Sequence, residues 1–310
     1  MMRSEVTMRP RISVCITHYN RPEKLGATLE SLSRQTLMPD EIFLWDDCSP
    51  NDPSEVVMAW KHKFPHFVYH RNESNLNMPG NLNAVISQAT GDFIANLHDA
   101  DVFHPDLIKS WATALIDYPS AGMVYCGLES PRKDNAPSRF WLNSEIAKLS
   151  NGIEYFKKYL LFRWSSPIWG TVMVRKSVYE ELLPFLEKYR NWADVDMWMR
   201  IISSHDIAYV DRPLIKTDES ETSLRKFDWT AVFIQHRMVE DGIRLYCEKT
   251  GQSAIFLLLI QHANLLQRWI RHMTSGLRER DWARIKCGVA HFPDILVNAV
   301  EPRNIPRATR

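Results

Sequence analysis

The sequence has no apolar run long enough to cross a bilayer. Its longest aliphatic stretch, Ala254 to Ile260, is far shorter than the roughly 20 residues that a transmembrane helix needs. The N-terminal stretch, Met1 to Pro10, lacks the apolar segment of a secretory signal. The five cysteines are scattered and show no CxxC or metal-ligand spacing, which argues against a disulfide framework. We therefore expect a reduced protein of the cytoplasm.

The chain also has almost no net charge. Lysine and arginine number 38 against 37 aspartates and glutamates, so the net charge of +1 indicates no partner. No internal repeat, low-complexity tract or nucleic-acid recognition module is visible, and we expect no nucleic-acid partner. With 45% hydrophobic residues over 310 positions, the chain can bury a core in one large domain or two.

Short apolar runs alternate with helical patterns through the first half of the chain. Arg11 to Thr17, Glu41 to Asp47 and Asp92 to Leu97 are typical of strands buried on both faces. Helical spacing follows each of them, for example after Pro22 and Pro105. The pattern predicts βαβ units and a mostly parallel sheet flanked by helices.

Polar residues follow the predicted strands where each strand ends. They are His18, Tyr19, Asn20, Arg21, Asp46, Asp47, Asp99 and Asp101. Ligands of open parallel sheets bind beyond the carboxyl ends of the strands, so we expect these side chains to share one site. Asp99 and Asp101 have the spacing of a site for Mg²⁺ and a phosphorylated ligand. The alternative is a polar turn in which Asp101 or His104 caps the next helix.

The segments Thr17–Pro22, Trp45–Asp52, Asp99–Asp101 and Trp192–Arg200 together resemble the family 2 glycosyltransferases of the GT-A fold. The corresponding motifs of that family are a Thr-x-Tyr-Asn-like turn, Val-Asp-Asp-x-Ser-x-Asp, DxD and Glu-Asp-x-Asp-x-Trp-x-Arg. The segments Asn75–Asn83 and Ala89–Ile94 also look like the family's link between nucleotide loop and DxD. The resemblance covers about Ile12 to Ser223.

This resemblance implies a Rossmann-like GT-A domain, a nucleotide-sugar donor and sugar transfer with inversion to an acceptor hydroxyl. Asp194 is the implied general base, and Asp101, helped by Asp99, would hold Mn²⁺ or Mg²⁺. A UDP-sugar is the expected donor, and a glycan or lipid-linked saccharide the expected acceptor. The implied nucleotide-sugar contacts are Thr17, Tyr19, Asn20, Arg21, Asp46, Asp47, Arg71, Asn77, Gly80, Asn83, Asp99 and Ala100. Acceptor-side candidates are Trp164, Trp169 and Trp192, because sugars stack on aromatic faces.

Each implied role has a structural alternative. Asp46 could cap the turn after its strand, Tyr19 could lie at the edge of the core, and Arg71 could be a surface cation. Asp194 could cap its helix, where the dipole favours a carboxylate. Asp196 is expected to pair with Arg200 at i, i+4. The tryptophans could pack in the core.

Two departures from the family pattern stand out. Ala193 replaces the first acid of the Glu-Asp pair, and no histidine follows the last strands, where Thr217–Ser223 stands instead. The Ala193 departure keeps open a nucleotide-sugar-binding scaffold without catalysis. A sugar-1-phosphate nucleotidylyltransferase is a further alternative, but Thr17–Arg21 has no glycine, unlike the Gly-rich loop of those enzymes.

The last part of the chain is predicted to be helical over Asp228–Lys249, Ser253–Met273 and Arg278–His291. We expect a catalytic domain over 1–223, with a nucleotide-sugar half at about 11–126 and an acceptor half at 127–223, and a helical region over 224–310. Basic and aromatic residues alternate in Gln267–Met273 and Leu277–Lys286. They would suit an anionic membrane surface, or simply the solvated face of a helical bundle. Self-association of the chain is left open.

Overall fold

A computed structural model describes residues 9–131, 137–161, 166–218 and 228–294 of the chain. These residues form two compact units. The first comprises the described residues up to Leu160 together with 166–218, and the second comprises Leu161 and 228–294.

The first unit contains a single mixed sheet. Its strands are β1 (Ile12–His18), β2 (Glu41–Asp46), β3 (Phe67–Arg71), β4 (Phe93–His98), β5 (Val102–Phe103), β6 (Ala121–Ser130), β7 (Arg139–Trp141), β8 (Leu149–Ser150), β9 (Val172–Arg175) and β10 (Asp206–Lys216). The strand order is β3-β2-β1-β4-β9-β6-β10-β5, with β7 beside β6 and β8 beside β10. Strands β3, β2, β1 and β4 run parallel, whereas β9 runs antiparallel to both β4 and β6.

The described helices of the first unit connect these strands. They are α1 (Pro22–Ser33), α2 (Ser54–Trp60), α3 (Asn77–Ile86), α4 (Leu107–Asp117), α5 (Gly152–Tyr155), α6 (Lys176–Leu182) and α7 (Ala193–Ile202). In α1 the apolar spacing seen in the sequence places Leu25, Leu29 and Leu32 in the core without solvent exposure. Burying each such side chain stabilises the fold by about 1.5–3 kcal/mol. The predicted α/β architecture with a central sheet flanked by helices is confirmed. The sheet is mixed, because four of its described strand pairs run parallel and five run antiparallel.

Strand register brings distant residues to one edge of the sheet. His18 lies opposite Asp46, Thr17 opposite His98, and Asp46 opposite Arg71. Because β9 runs antiparallel to β4, its amino end lies at this same edge, with Asn96 opposite Val172. Residues that precede Val172 therefore join those that follow His98.

Some local predictions were wrong. The stretch Gly127–Ser150, predicted as loop, contains the end of β6 together with β7 and β8. The sequence pattern predicts separate strands over Ile207–Val210 and Pro213–Lys216, but Asp206–Lys216 forms the single strand β10, whose pairing with β6 shifts register at the proline. Proline lacks the N–H that a regular ladder uses, and the shift in register accommodates it. The helix predicted over Ser177–Tyr189 ends at Leu182, just before Pro184.

The second unit consists of α8 (Trp229–Thr250), α9 (Ile255–Glu279) and α10 (Trp282–Ala290). The side chain of Asp228 caps α8 by accepting from the backbone N–H groups of Thr230 and Ala231. Trp229, Val232 and Leu265 form the buried core of this unit. Among the described residues, no helix is both long and apolar enough to cross a membrane.

Candidate functional site

Asp46, at the end of β2, is fully buried and held by neighbours in the following loop. Its Oδ1 accepts from the Ser49 backbone N–H at 3.2 Å and from the Ser49 hydroxyl. Arg71 Nη1 lies 3.3 Å from Asp46 Oδ2, and Arg71 also donates to the Ser49 carbonyl at 2.7 Å. Desolvation lowers the pKa of Arg71, but the carboxylates of Asp46 and Asp52 outweigh it and raise this pKa. Arg71 is thus a bound partner of Asp46 and not a free surface cation.

Asp47 organises the loop that leads into α3. Its Oδ1 accepts from the Leu76 backbone N–H at 2.7 Å and from Asn72 Nδ2 at 3.0 Å. Asn72 also donates to Asn81 Oδ1 at 2.9 Å. Both asparagines are buried, so these bonds fix the course of the loop beside the sheet edge.

Both carboxylate oxygens of Asp99 lie close to a basic side chain, although Oδ1 makes no hydrogen bond to the described residues. His18 Nδ1 lies 2.6 Å from Asp99 Oδ2, which also accepts from the Tyr19 backbone N–H at 3.2 Å. Arg21 Nη2 lies 2.8 Å from Asp99 Oδ1. The side chain is fully buried, so its charge depends on these cationic and polar partners. Asp99 therefore ties the loop after β1 to the loop after β4.

Asp101 differs from Asp99 although only one residue separates them. Its Oδ2 accepts from the Thr171 hydroxyl at 3.2 Å and lies 3.6 Å from His98 Nδ1. Its Oδ1 has no hydrogen-bond partner within the described part of the chain. The Asp101 backbone carbonyl accepts from the Thr28 hydroxyl of α1 at 2.8 Å, which fixes the backbone at this point. One carboxylate oxygen of Asp101 is thus spare.

Asp194, in the first turn of α7, lies beside His98 and Gly170. A Cβ atom added at Gly170 would meet His98 Nε2 at 2.6 Å and Asp194 Oδ2 at 3.3 Å. Desolvation raises the pKa of Asp194 to about 6, against the opposing effects of the Val195 N–H and of His98. Desolvation lowers the pKa of His98, but Asp101, Asp99 and Asp194 together raise it. An imidazole and two carboxylates therefore meet where β4, β9 and α7 converge.

Several other predicted residues line the same edge. Thr17 is half-buried at the end of β1, and Tyr19 is 44% exposed, which excludes a place in the core. Asn20 has a positive φ of 55° and accepts from the Asn51 N–H at 3.3 Å. Ala100 is half-buried between Asp99 and Asp101.

The residues predicted in and near α3 have mixed surroundings. Asn77 is exposed with φ 61°, and a Cβ atom at Gly80 would meet the Leu76 Cβ at 2.9 Å. Asn83 is occupied elsewhere, because its side-chain amide donates to the Phe185 carbonyl at 2.9 Å and accepts from the Phe185 N–H at 2.7 Å. Asn83 thus fixes the segment after α6.

Trp169 is exposed just before Gly170, and Trp192 is half-buried at the residue before α7. Both therefore flank the Asp194 corner in sequence, while Trp164 and residues 219–223 lie outside the described residues. Ala193, the departure from the family pattern, is fully buried, whereas Asp194 is partly exposed. The predicted pair of Asp196 with Arg200 is confirmed, with Arg200 Nε 2.9 Å from Asp196 Oδ2.

The sequence pattern predicts His18 at this site but not His98, Gly170 and Thr171. His98 had a visible signal, since it directly precedes Asp99 in the strongest motif of the chain. Thr171 and Gly170 had none, because only the antiparallel direction of β9 places them at this edge.

The residues present fit a divalent cation that is bound partly by a ligand. Asp101 offers a spare carboxylate oxygen, and such oxygens are the donors that Mg²⁺ and Mn²⁺ prefer. In the ranges that the structure describes, no third histidine, cysteine or acid completes a compact trio with Asp99 and Asp101. A cation here would therefore need oxygens from water or from a bound phosphate.

Comparisons with known proteins agree with this architecture. Residues 13–183, more than half of the chain, match the family model "Glycosyl transferase family 2". A Haemophilus influenzae protein described as an uncharacterized glycosyltransferase is 31% identical over 114 residues, 37% of this chain and 37% of that protein. The abequosyltransferase RfbV of Salmonella typhimurium is 30% identical over 142 residues, 43% of this chain and 42% of RfbV. The chain thus spans less than half the length of each of these two relatives.

Among solved structures, S. aureus TarS 1-349 in complex with UDP-GlcNAc has a TM-score of 0.68 to this chain. The match covers 93% of this chain and 81% of the TarS chain at 15% identity, so it shows a shared fold. The family match confirms the resemblance expected from the sequence and the predicted enzyme class. The TarS match agrees with the expected fold. This chain belongs to glycosyl transferase family 2.

Proposed function

We propose that the enzyme transfers a sugar from a nucleoside-diphosphate sugar to an acceptor hydroxyl with inversion, using Asp194 as the general base. The observation that carries this proposal is the corner formed by Asp101, His98, Gly170 and Asp194 beside the buried loops of Asp46 and Asp99. The TarS structures in complex with UDP-GlcNAc and UDP support a UDP-sugar as the donor.

The nucleoside would bind where β1 and β2 end. Tyr19 offers an exposed ring for stacking on the base, and Asn20, Arg21 and Asp47 belong to the loops that surround it. Asp46 Oδ2 is buried, makes no hydrogen bond to any described residue and has Arg71 as its nearby cation. A uracil or ribose donor group could complete the hydrogen bonding of that oxygen.

A bound Mn²⁺ or Mg²⁺ would stabilise the negative charge that develops on the departing nucleoside diphosphate. Asp101 would hold the cation through its spare oxygen. Asp99, the second predicted ligand, would contribute only if Arg21 or His18 moved away. With Arg21 and His18 in place, Asp99 instead positions the loops on either side of Asp101.

Asp194 would take the proton of the acceptor hydroxyl. That oxygen forms a bond to the anomeric carbon while the bond from this carbon to the diphosphate breaks, and the electron pair leaves with the nucleoside diphosphate. A pKa of about 6 keeps Asp194 mostly deprotonated at pH 7, yet more basic than an ordinary carboxylate. His98, adjacent to both Asp194 and Asp101, would add positive charge beside the leaving group.

Nucleotide release from a panel of UDP-, GDP- and dTDP-sugars, with Mn²⁺ and with a chelator, tests the proposal. We expect turnover with a UDP-sugar that the chelator suppresses. Donor binding without any turnover, by calorimetry with a saccharide acceptor present, would instead support the inactive scaffold that Ala193 keeps open. Release of sugar 1-phosphate together with a nucleoside triphosphate, only when pyrophosphate is added, would indicate the nucleotidylyltransferase alternative.

The proposal includes a peripheral contact of α9 with an anionic membrane surface, where a lipid-linked acceptor would be found. Ile255, Leu259, Leu266, Ile270 and Leu277 are all exposed on α9. At 3.6 residues per turn they fall within an arc of about 60°, which makes a continuous apolar stripe. The exposed cations Arg271 and Arg278 lie further around the same helix.

Co-sedimentation with vesicles tests this contact. We expect binding to anionic vesicles, weaker binding to zwitterionic ones, and loss of binding in Leu259→Glu, whereas Thr274→Glu outside the stripe should retain most of it. Concentration-dependent dimerisation that Leu259→Glu abolishes, without vesicle binding, would mean that a second copy of the chain covers the stripe.

A further inference from the structure

A cluster of two histidines and a glutamate lies in the helical unit, outside the proposed active site. His236 and Glu240 are one turn apart on α8, and His262 comes from α9. In the part of the chain that the structure describes, their three ligand atoms all lie within 4.8 Å of one another. His262 Nε2 is 2.5 Å and His236 Nε2 is 3.6 Å from Glu240 Oε1.

His236 is the unusual member of this cluster. Its side chain is 0% exposed, and its Nε2 is buried without a hydrogen-bond partner among the described residues. A buried polar atom left without such a partner costs about 1–3 kcal/mol. The nitrogen points toward Glu240, so a ligand atom or ion placed there would remove that cost. A simple ion pair between Glu240 and His262 leaves His236 Nε2 unexplained.

We propose that His236, Glu240 and His262 bind one divalent transition metal ion, with Zn²⁺ the ion that this ligand set favours. Two imidazoles and one carboxylate are ligands that Zn²⁺ takes at about 2.0–2.2 Å, which sets ligand atoms about 3.3 Å apart in a tetrahedron. The 3.6 Å between His236 Nε2 and Glu240 Oε1 is close to this value. The 2.5 Å between His262 Nε2 and Glu240 Oε1 would have to lengthen by about 0.8 Å. Water would supply the fourth ligand.

The surroundings of His236 match those of a metal ligand. Metal-binding histidines usually donate their second ring N–H to an oxygen that fixes the ring. Gln261, itself buried, places its side-chain amide 3.1 Å from His236 Nδ1. The amide oxygen of Gln261 is also buried without a partner, and rotation of the amide by 180° would let it accept from Nδ1–H. His236 Nε2 is then free to donate its lone pair to the metal.

The ion would join α8 to α9 within the helical unit. Its ligand atoms differ in kind from those of an oxygen-rich Mn²⁺ or Mg²⁺ site. Carboxylate and phosphate oxygens suit those hard ions, whereas imidazole nitrogens favour Zn²⁺. The site therefore adds stability to the helical unit and takes no part in the transfer reaction.

Zinc binding to the chelator-stripped full chain tests the proposal. In competition with a chromogenic chelator, we expect uptake of one Zn²⁺ per chain and a rise in Tm. Both should be retained in Asp101→Asn, which alters the active site, and in His272→Gln, which alters another buried histidine of α9. The affinity should fall at least tenfold in His262→Ala and in Glu240→Gln.

Co²⁺ provides a readout that does not depend on stability. The wild-type chain should give the intense visible absorption of tetrahedral Co²⁺, and Zn²⁺ should displace it. The proposal is overturned if the wild-type chain takes up no more Zn²⁺ than His262→Ala, or if bound Co²⁺ shows only the weak absorption of an octahedral aquo ion. Because the wild-type titration decides this, a variant that fails to fold does not obscure the result.

Discussion

The two carboxylate-bearing regions at the sheet edge differ in how their charges are met. Beside the loops that follow β1 and β2, Asp46 and Asp99 are fully buried and close to donors and basic side chains of the chain itself. Where β4, β9 and α7 converge, Asp101 keeps a spare oxygen and Asp194 is desolvated with a raised pKa. The first region holds loops in place, with Asp46 Oδ2 proposed to meet the donor, whereas the second offers the proposed metal ligand and base.

Membership of the DxD motif therefore does not by itself fix the role of a residue. Asp99 and Asp101 belong to one DxD segment, yet among the described side chains Asp99 contacts Arg21 and His18, while Asp101 contacts Thr171 and a more distant His98. Basic side chains beside both oxygens of a buried carboxylate favour a role in holding the loops. Leaving one oxygen unmet makes it a candidate ligand.

The largest effect is expected from Asp194→Asn, which removes the base from the second region. The rate of transfer should fall about 10²–10⁴-fold, because general base catalysis typically contributes that much. UDP affinity by calorimetry should stay within about twofold, since Asp194 is proposed to contact only the acceptor. Asp117→Asn, an exposed acid at the end of α4, serves as the matched control. A variant that keeps full activity would remove Asp194 from the mechanism.

Comparing Asp99→Asn with Asp101→Asn tests the division of roles directly. Asp99→Asn leaves Arg21 and His18 without their carboxylate, so the free energy of unfolding should drop by about 3 kcal/mol. Asp101→Asn should change stability by only about 1 kcal/mol, the net value of the Thr171 hydrogen bond, while abolishing the response to Mn²⁺. Urea titration and metal-dependent turnover measure the two effects. The reverse assignment would contradict the division proposed here.

A smaller effect is expected from pH. With a pKa of about 6 for Asp194, kcat/KM should be about tenfold lower at pH 5 than at pH 7, as the base becomes protonated. The sign for stability is the opposite. Because the folded pKa exceeds the ordinary value of 3.8, the stability contributed by Asp194 is fully present below about pH 4 and is lost as pH rises through about 6.

Asp194→Asn sharpens the pH comparison. Its residual activity should lack the fall below pH 6, and its stability should gain relative to wild type as pH rises from 4 to 7. A wild-type profile that is flat between pH 5 and 7 would mean that the desolvated carboxylate is not the base.

The smallest effect is expected from Tyr19→Ala on the donor side. The ring is exposed, so Tm should not change, but UDP affinity should fall about fivefold or more through loss of stacking. Tyr19→Phe keeps the ring and should bind UDP as wild type does. Equal UDP affinity in wild type, Tyr19→Ala and Tyr19→Phe would mean that the uracil ring of UDP does not stack on Tyr19.

Most of the sheet and its helices could be predicted from the sequence, because buried parallel strands and proline-started helices have clear local patterns. The polar residues at strand ends were predicted to share one edge, and the parallel register of β1, β2 and β4 accounts for it. The resemblance to the family 2 glycosyltransferases was based on ordered motifs, three of them at these strand ends and the fourth at the start of α7.

What escaped prediction depends on contacts between distant segments. Gly170 and Thr171 reach the site only because β9 runs antiparallel, and short stretches such as Gly170–Arg175 carry no signal of strand direction. Nor could local spacing separate Asp99 from Asp101, since the partners of Asp99 come from the loop after β1. The His236, Glu240 and His262 cluster likewise joins two helices whose pairing the sequence does not specify.

The most direct test of the division between the two regions is the position of Mn²⁺ in a crystal grown with UDP. We predict an anomalous peak for a Mn²⁺ ion that is bound by Asp101 and by phosphate oxygens, with Asp99 still contacting Arg21 and His18. A peak on Asp99 with Arg21 displaced, or a peak remote from Asp101, would contradict it.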